Sequence, residues 1–231
     1  MDFSQRHVVV TGGTGALGIA VVDALIKAGA VCHVPWYVEN EAEHFPHRGH
    51  RQVVLVGNTD LADEAGVSRL FDGVGRLWAS IHLAGGFAAG TVAETSKGAL
   101  LRQMEMNFVT TFLCCRAALK RMGPDGGRIV NVAARPALEW RQGAGMTAYA
   151  ASKAAVAALT VALAEEVAKD GVLVNAVAPS IMDTPANRAA MPKAEHAAWP
   201  KVEDVARTIL FLASPENRAG RGGIVPVYGK S

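Results

Sequence analysis

The sequence contains little of what marks several large classes of protein. Three of its 231 residues are cysteine, an odd number without metal-ligand spacing to any histidine, so we expect buried thiols and no metal site. Charged residues make up 19% of the chain and the formal net charge is +2. That balance gives no basic excess for binding phosphates, so we expect no nucleic-acid partner.

Long apolar segments are also missing. No stretch offers about 18 uninterrupted apolar residues for a membrane span, and the first six residues contain no apolar signal core. We therefore expect a cytoplasmic protein that binds neither membrane nor nucleic acid and acts on a small molecule. The length suits one α/β domain with a large core and is short for two, which predicts a single domain over residues 1–231.

Short β-branched runs alternate with longer helical patterns along almost the whole chain. Strands are predicted at 7–11, 30–35, 52–56, 78–83, 127–132, 172–177 and 224–228, and helices near 16–28, 62–74, 97–122, 149–169 and 201–213. Such alternation is typical of parallel strands joined by right-handed helical crossovers, with ligands at the carboxyl ends of the strands. The pattern predicts an α/β fold with a Rossmann-type, doubly wound parallel sheet.

A glycine-rich turn, TGGTGALG at residues 11–18, follows the first predicted strand and opens the first predicted helix. Backbone N–H groups at a helix N-terminus suit a pyrophosphate, although a lone glycine motif is weak evidence. The segments that follow the third and fourth predicted strands add stronger evidence for a dinucleotide site. Asp60 and Leu61 follow the third strand, where a carboxylate can accept from an adenine amino group, and Ala84, Gly85 and Gly86 allow close backbone approach after the fourth. Together these segments predict a dinucleotide site.

Tyr149 and Lys153 are four residues apart and share one face of a predicted helix. A free tyrosine titrates near 10, and we expect the neighbouring ammonium, together with the positive nicotinamide of a bound dinucleotide, to favour its phenolate and lower its pKa. The pair therefore predicts a proton relay for hydride transfer, with an exposed helical pair of no consequence as the alternative.

These segments, taken in order, resemble the short-chain dehydrogenase/reductase family over essentially the whole chain. The resemblance implies an NAD(P)H-dependent oxidoreductase in which Asn107 organises a water chain to the catalytic lysine, and Thr184 and Met182 hold the nicotinamide. It also implies pairing of helices 97–122 and 149–169 in a homodimer or homotetramer, although a buried core role for these helices fits the sequence equally. The residues expected to contact the cofactor are Gly12, Gly13, Gly15, Ala16, Leu17, Gly18, Trp36, Asp60, Leu61, Ala84, Gly85, Gly86, Tyr149, Lys153, Pro179, Met182 and Thr184.

Several segments are similar to one subgroup, the quinonoid dihydropteridine reductases. They are residues 13–18, 38–41, 84–90 and 183–200. The family's substrate-holding serine is replaced by Ala134, an omission that the resemblance also attributes to this subgroup. A conjugated ring such as a quinonoid pterin is therefore the expected substrate, with an ordinary ketone or alcohol as the first alternative and a catalytically inactive dinucleotide sensor as the second.

The resemblance also indicates which residues cover and contact the substrate. Residues 183–200 form a short predicted lid, and Ala134, Phe87 and Trp199 are the expected substrate contacts.

The choice between NADH and NADPH stays open. Trp36 stands where members of the family that use NAD place an acid, and the glycine turn contains no arginine. Four basic loop residues either approach a 2′-phosphate or form a solvated face, so NADH and NADPH both remain possible. These residues are His44, His47, Arg48 and Arg51.

Overall fold

A computed structural model describes all 231 residues. It contains a seven-stranded sheet with helices on both faces. The strands are β1 (His7–Thr11), β2 (Val31–Pro35), β3 (Val53–Val56), β4 (Leu77–His82), β5 (Gly127–Val132), β6 (Val172–Pro179) and β7 (Ile224–Val227). The helices are α1 (Ala16–Lys27), α2 (Glu39–Glu43), α3 (Glu64–Asp72), α4 (Lys97–Met104), α5 (Thr110–Leu119), α6 (Thr147–Glu166), α7 (Pro185–Ala190) and α8 (Val202–Ala213).

All neighbouring strands are parallel, in the order β3-β2-β1-β4-β5-β6-β7. The order reverses between β1 and β4, which is where a doubly wound sheet leaves a crevice for a ligand. Thr11 pairs with His82, and His82 pairs with Asn131, so the carboxyl ends of three central strands lie at one edge. The predicted single-domain α/β fold is confirmed.

The core has one layer on each face of the sheet. On one face, α1 and α8 bury side chains such as Leu25 and Ile209 against the sheet residue Val10. On the other face, α3, α5 and α6 bury side chains that include Phe71 and Leu163. Burial of these apolar side chains, each worth about 1.5–3 kcal/mol, fixes the strand order on which the site depends.

Helix α6 is buried only in part. By length and composition it could cross a membrane, but core helices of folded domains pass the same test. It packs on the core layer through residues such as Leu163 and Ala164, and it also contains a buried lysine, Lys153. These contacts account for its apolar composition as a helix of the domain core.

The predicted helix 97–122 is interrupted. A π-helical turn over Glu105–Val109 separates α4 from α5. Such turns bulge one residue out of the regular helical spacing and occur often at functional sites. This turn contains Asn107, whose side chain is completely buried and hydrogen-bonded. Propensity alone does not reveal the interruption, because the contacts that accompany it come from other elements.

Candidate active site

The glycine turn after β1 forms a cradle with room for a phosphate group. Gly12 has φ +64°, and a Cβ atom there would lie 2.7 Å from the backbone nitrogen of Ala84. A Cβ atom at Gly18 would collide with the carbonyl oxygen of Gly12. At Gly15 the nearest atom would be 3.5 Å away, so this side of the turn is open. The residues present fit a dinucleotide whose pyrophosphate lies at the N-terminus of α1.

The predicted adenine end lies where β2 and β3 finish. The Trp36 backbone is held between the two strands, donating to the carbonyl of Val56 at 3.0 Å and accepting from the N–H of Thr59 at 3.1 Å. Its indole covers Gly57, where a Cβ atom would be 2.5 Å from Trp36 Cζ2. Asp60 is exposed, and its Oδ1 accepts from the N–H of Ala62 at 2.9 Å. The other carboxylate oxygen of Asp60 has no hydrogen-bond partner within the protein and is available to a ligand.

Asn107 clamps the loop that follows β4. Its Oδ1 accepts from the Gly86 N–H at 3.0 Å, and its Nδ2 donates to the Gly86 carbonyl at 3.0 Å and to Ser152 Oγ at 3.1 Å. A Cβ atom at Gly85 would lie 2.5 Å from Asn107 Oδ1 and 3.5 Å from Lys153 Nζ. Glycine at position 85 therefore lets the loop, the asparagine and the lysine meet.

Tyr149 and Lys153 lie one turn apart in the first half of α6, and burial disfavours the charged form of each. Burial raises the pKa of the Tyr149 hydroxyl to about 12 and lowers the pKa of Lys153 to about 8. Lys153 Nζ donates to the Val132 carbonyl at 2.8 Å. Desolvation is the cause of this shift of the Tyr149 pKa in the protein without its cofactor, and the lowering expected from Lys153 together with the positive nicotinamide stays a prediction.

The loop after β5 carries no hydroxyl near Tyr149. Ala133 and Ala134 are 1% and 5% exposed, so both methyl groups are packed away from water. The next residue, Arg135, donates from Nε to Glu139 Oε2 at 2.8 Å, and its guanidinium lies 4.7 Å from the centre of the Tyr228 ring. The ion pair lies within the loop, and the stacking contact with Tyr228 holds the loop against the C-terminal segment.

Phe87 supplies an open aromatic wall beside Tyr149. The two rings meet edge to face with centroids 5.0 Å apart, and Phe87 remains 60% exposed. Edge-to-face contacts of this kind orient an aromatic pair. Of the three expected substrate contacts, Phe87 is the one that leaves a large apolar surface open.

Residues 183–200 contain α7 and end in a bridge between Asp183 and Lys201. Thr184 caps α7, its Oγ1 accepting from the Asn187 N–H at 3.2 Å, while Asn187 Nδ2 donates to the Met182 carbonyl at 2.8 Å. The Thr184 hydroxyl keeps its own proton free to donate. Pro179 ends β6 at the same edge of the sheet.

Trp199 is only 8% exposed, and its ring packs on His196 with centroids 4.7 Å apart. The structure gives Trp199 a packing environment inside this segment, and its role as a substrate contact stays a prediction.

One polar cluster under the site escaped the sequence analysis. His82 is fully buried, with Nδ1 2.8 Å from Asn131 Oδ1 and Nε2 2.7 Å from Ser80 Oγ. Burial lowers its pKa to about 4, so the ring is neutral at pH 7. The network joins β4 to β5 below the loops that carry the site. The only sign of this network in the sequence is a histidine, His82, within a run of apolar residues.

The fold and the glycine cradle are those of a dinucleotide-binding protein, and the tyrosine–lysine pair lies at the same edge of the sheet. The model of the short-chain dehydrogenase family matches residues 6–195. The chain belongs to this family and is an NAD(P)-dependent oxidoreductase that uses NAD(P)H.

Individual relatives match over nearly their whole length. Galactitol 2-dehydrogenase of Rhizobium johnstonii is 36% identical over 250 residues, covering 98% of this chain and 97% of that protein. Cis-4-hydroxycyclohexanecarboxylate dehydrogenase of Sinomonas cyclohexanicum is 33% identical over 244 residues, covering 98% and 96%. The solved structure of ElxO with NADP bound has a TM-score of 0.88 and 25% identity, covering 97% of this chain and 98% of that one.

Proposed function

We propose that this enzyme transfers a hydride between NAD(P)H and a small molecule, with Tyr149 Oη exchanging the accompanying proton. The observation that carries the proposal is the convergence of three parts at one edge of the sheet. They are the glycine turn, the loop clamped by Asn107, and the start of α6 with Tyr149 and Lys153. When bound, the nicotinamide supplies or accepts the hydride.

Each side chain in this arrangement has a distinct task. Lys153, charged below about pH 8, favours the phenolate of Tyr149 during proton transfer and anchors the nicotinamide ribose. Asn107 holds the Gly86 backbone and organises the proton path to Lys153. Thr184, Met182 and Pro179 hold the nicotinamide end, while Trp36, Asp60 and Leu61 take the adenosine.

A flat conjugated ring, such as a quinonoid pterin, is the proposed substrate. Such a ring takes up hydride into its conjugated system, so no isolated carbonyl needs a hydroxyl at position 134. Two features support this choice: the buried methyl group of Ala134 and the open ring of Phe87 beside Tyr149. Several short segments of the sequence also resemble those of the dihydropteridine reductases.

An ordinary secondary alcohol or ketone is the second candidate. The names of two relatives favour it, because galactitol 2-dehydrogenase and cis-4-hydroxycyclohexanecarboxylate dehydrogenase are both alcohol dehydrogenases by name. Asn107 is also the ordinary residue of the family. In this case Tyr149 acts without the usual second hydroxyl.

The proposal also covers the lid, the cellular location and the oligomeric state of the enzyme. Residues 183–200 serve as a short lid over the substrate, and the enzyme works in the cytoplasm. Exposed apolar side chains on the crossover helices, Leu101, Phe112 and Val161, support assembly into a homodimer or homotetramer.

The test is the absorbance of NAD(P)H followed with a panel of quinonoid pterins, quinones and small ketones. We expect turnover with at least one flat ring, and a loss of about 10²–10⁴-fold in Tyr149→Phe with near-normal cofactor affinity, because only the hydroxyl that donates the proton is removed. Tyr228→Phe keeps the ring near Arg135 and serves as the matched control. Wild-type turnover in Tyr149→Phe would show that another group moves the proton.

A further inference from the structure

The end of β2 has no carboxylate for the adenosine ribose. In dinucleotide-binding sheets an acid at this position accepts from both ribose hydroxyls and repels a 2′-phosphate. Here the position holds Trp36, and its indole is fixed on Gly57. The backbone of Trp36 is bonded to β3 and to the following loop, so a simple rotation of the loop does not bring another residue into its place.

A carboxylate reaches the same region from α2. Glu41 Oε2 accepts from Thr14 Oγ1 of the glycine turn at 3.5 Å, which joins the turn to the segment after β2. Glu39 and Glu43 lie on the same short helix, and all three acids are exposed. The turn itself, residues 11–18, contains no cation. The rim of the adenosine end is therefore acidic.

Three of the four basic residues in the loop after β2 have contacts or positions away from this charge. Arg51 directly precedes Gln52, whose carbonyl accepts from the N–H of Cys32 near the start of β2. At about 3.3 Å per residue, Arg51 lies more than about 10 Å along the strand direction from the end of β2. His44 Nδ1 is 2.9 Å from the Asn40 carbonyl of its own helix. His47 packs on Phe45.

We infer that Glu41 makes this enzyme selective for NADH over NADPH, because its carboxylate stands beside the turn where a 2′-phosphate would bind. The inference rests on the proposed dinucleotide site. Like charges in a solvated cleft repel modestly, which corresponds to about a tenfold difference in affinity for a phosphate with more than one charge. Thr14 keeps the carboxylate on the side of the turn.

The test is direct binding of NADH and of NADPH to the purified full chain by isothermal titration calorimetry, with no substrate present. We expect NADH to bind about tenfold tighter, and Glu41→Gln to strengthen NADPH binding about five- to tenfold while NADH binding changes little. The NADH preference should shrink at high salt, because an exposed pair of charges is screened. Glu41→Lys should reverse the preference.

The matched control is Glu43→Gln, which removes a charge from the same helix without touching the turn. It should leave the selectivity of the wild type nearly intact. Tighter binding of NADPH by the wild type, or equal effects of Glu41→Gln and Glu43→Gln, would overturn the inference. Failure to bind either dinucleotide would overturn the proposed function as well, whereas NADH selectivity in an enzyme inactive on every substrate of the panel would count against the proposed reaction alone.

Discussion

At the scale of single residues, the site is built from groups whose charged forms the protein disfavours. Burial raises the pKa of Tyr149 to about 12 and lowers that of Lys153 to about 8. The tyrosine therefore holds its proton at neutral pH until a positive charge nearby offsets the desolvation. Such opposed shifts are typical of proton-transfer sites, where stability is given up for reactivity.

Lys153→Met should stabilise the fold at pH 7 by about 1–3 kcal/mol, because it removes a buried charge at the loss of one hydrogen bond to Val132. Between pH 8 and 10.5 the unfolded chain keeps the lysine proton that the folded chain has lost, so wild-type stability rises with pH through this window. The advantage of the variant should therefore shrink there.

Urea unfolding of both proteins at pH 7 and pH 10 measures this difference. Lys97→Met is the control, since Lys97 is exposed on α4 and its ammonium is already solvated. An advantage of Lys153→Met that did not change with pH would mean that packing, and not charge, determines it.

Ala134→Ser tests the missing hydroxyl. With a flat conjugated substrate the change should alter turnover little, because no isolated carbonyl oxygen develops charge beside position 134. A gain of about 10²-fold or more on small ketones, the scale of one oxyanion donor, would instead favour the alcohol and ketone reading. The measurement is kcat/KM on the pterin and ketone members of the same panel, with the Tyr149→Phe background as the control.

At the scale of elements, the turns carry more of the site than the helices and strands do. The glycine turn, the loop after β4 and the π-helical turn meet because the ends of β1, β4 and β5 lie at one edge. Each of the three is pinned by backbone: Gly12 lies against Ala84, and Asn107 is bonded to Gly86 in both directions. A displacement of any one of them would therefore move the others.

Gly18→Ala should lower the free energy of unfolding by about 1–3 kcal/mol and weaken cofactor binding, because its methyl group collides with the Gly12 carbonyl and must push the turn outward. Gly75→Ala is the matched control, since a Cβ atom at Gly75 would meet nothing within 4 Å. Denaturant unfolding and calorimetric titration with NADH give the two readouts. Equal effects of the two substitutions would contradict the tight turn described here.

At the scale of the whole molecule, the sheet is covered on both faces while parts of the crossover helices are left uncovered. Phe112 on α5 is 43% exposed and Val161 on α6 is 45% exposed. Apolar side chains exposed on neighbouring helices are typical of an interface between identical subunits.

We expect a dimer or tetramer by light scattering at micromolar concentration, and Val161→Lys should shift it toward monomer because the interface would have to bury an unpaired charge. Lys substitution of Val92, which is 74% exposed on a loop, is the control. A wild-type protein that scatters as a monomer would refute the assembly.

The sequence by itself determined the class of fold and supplied the residues of the candidate site. Strand and helix periods alternate, and only a doubly wound parallel sheet satisfies that alternation with short connections, so the strand positions were predictable from local pattern. The glycine turn and the pair Tyr149 and Lys153 were readable for the same reason, because each is a short-range motif.

Only the tertiary structure determined the pKa values of those residues and their contacts with other elements. Burial, which depends on every packed layer, raises the pKa of Tyr149 and lowers that of Lys153 in the protein without its cofactor, and the spacing of the two residues gives no measure of burial. Three further features depend on contacts between different elements. They are the π-helical turn, the packing of Trp36 on Gly57, and the hydrogen bond between Thr14 and Glu41. Such contacts produce no periodic pattern of residue types in the sequence, because they form between segments that are far apart in the chain and meet only at one edge of the folded sheet.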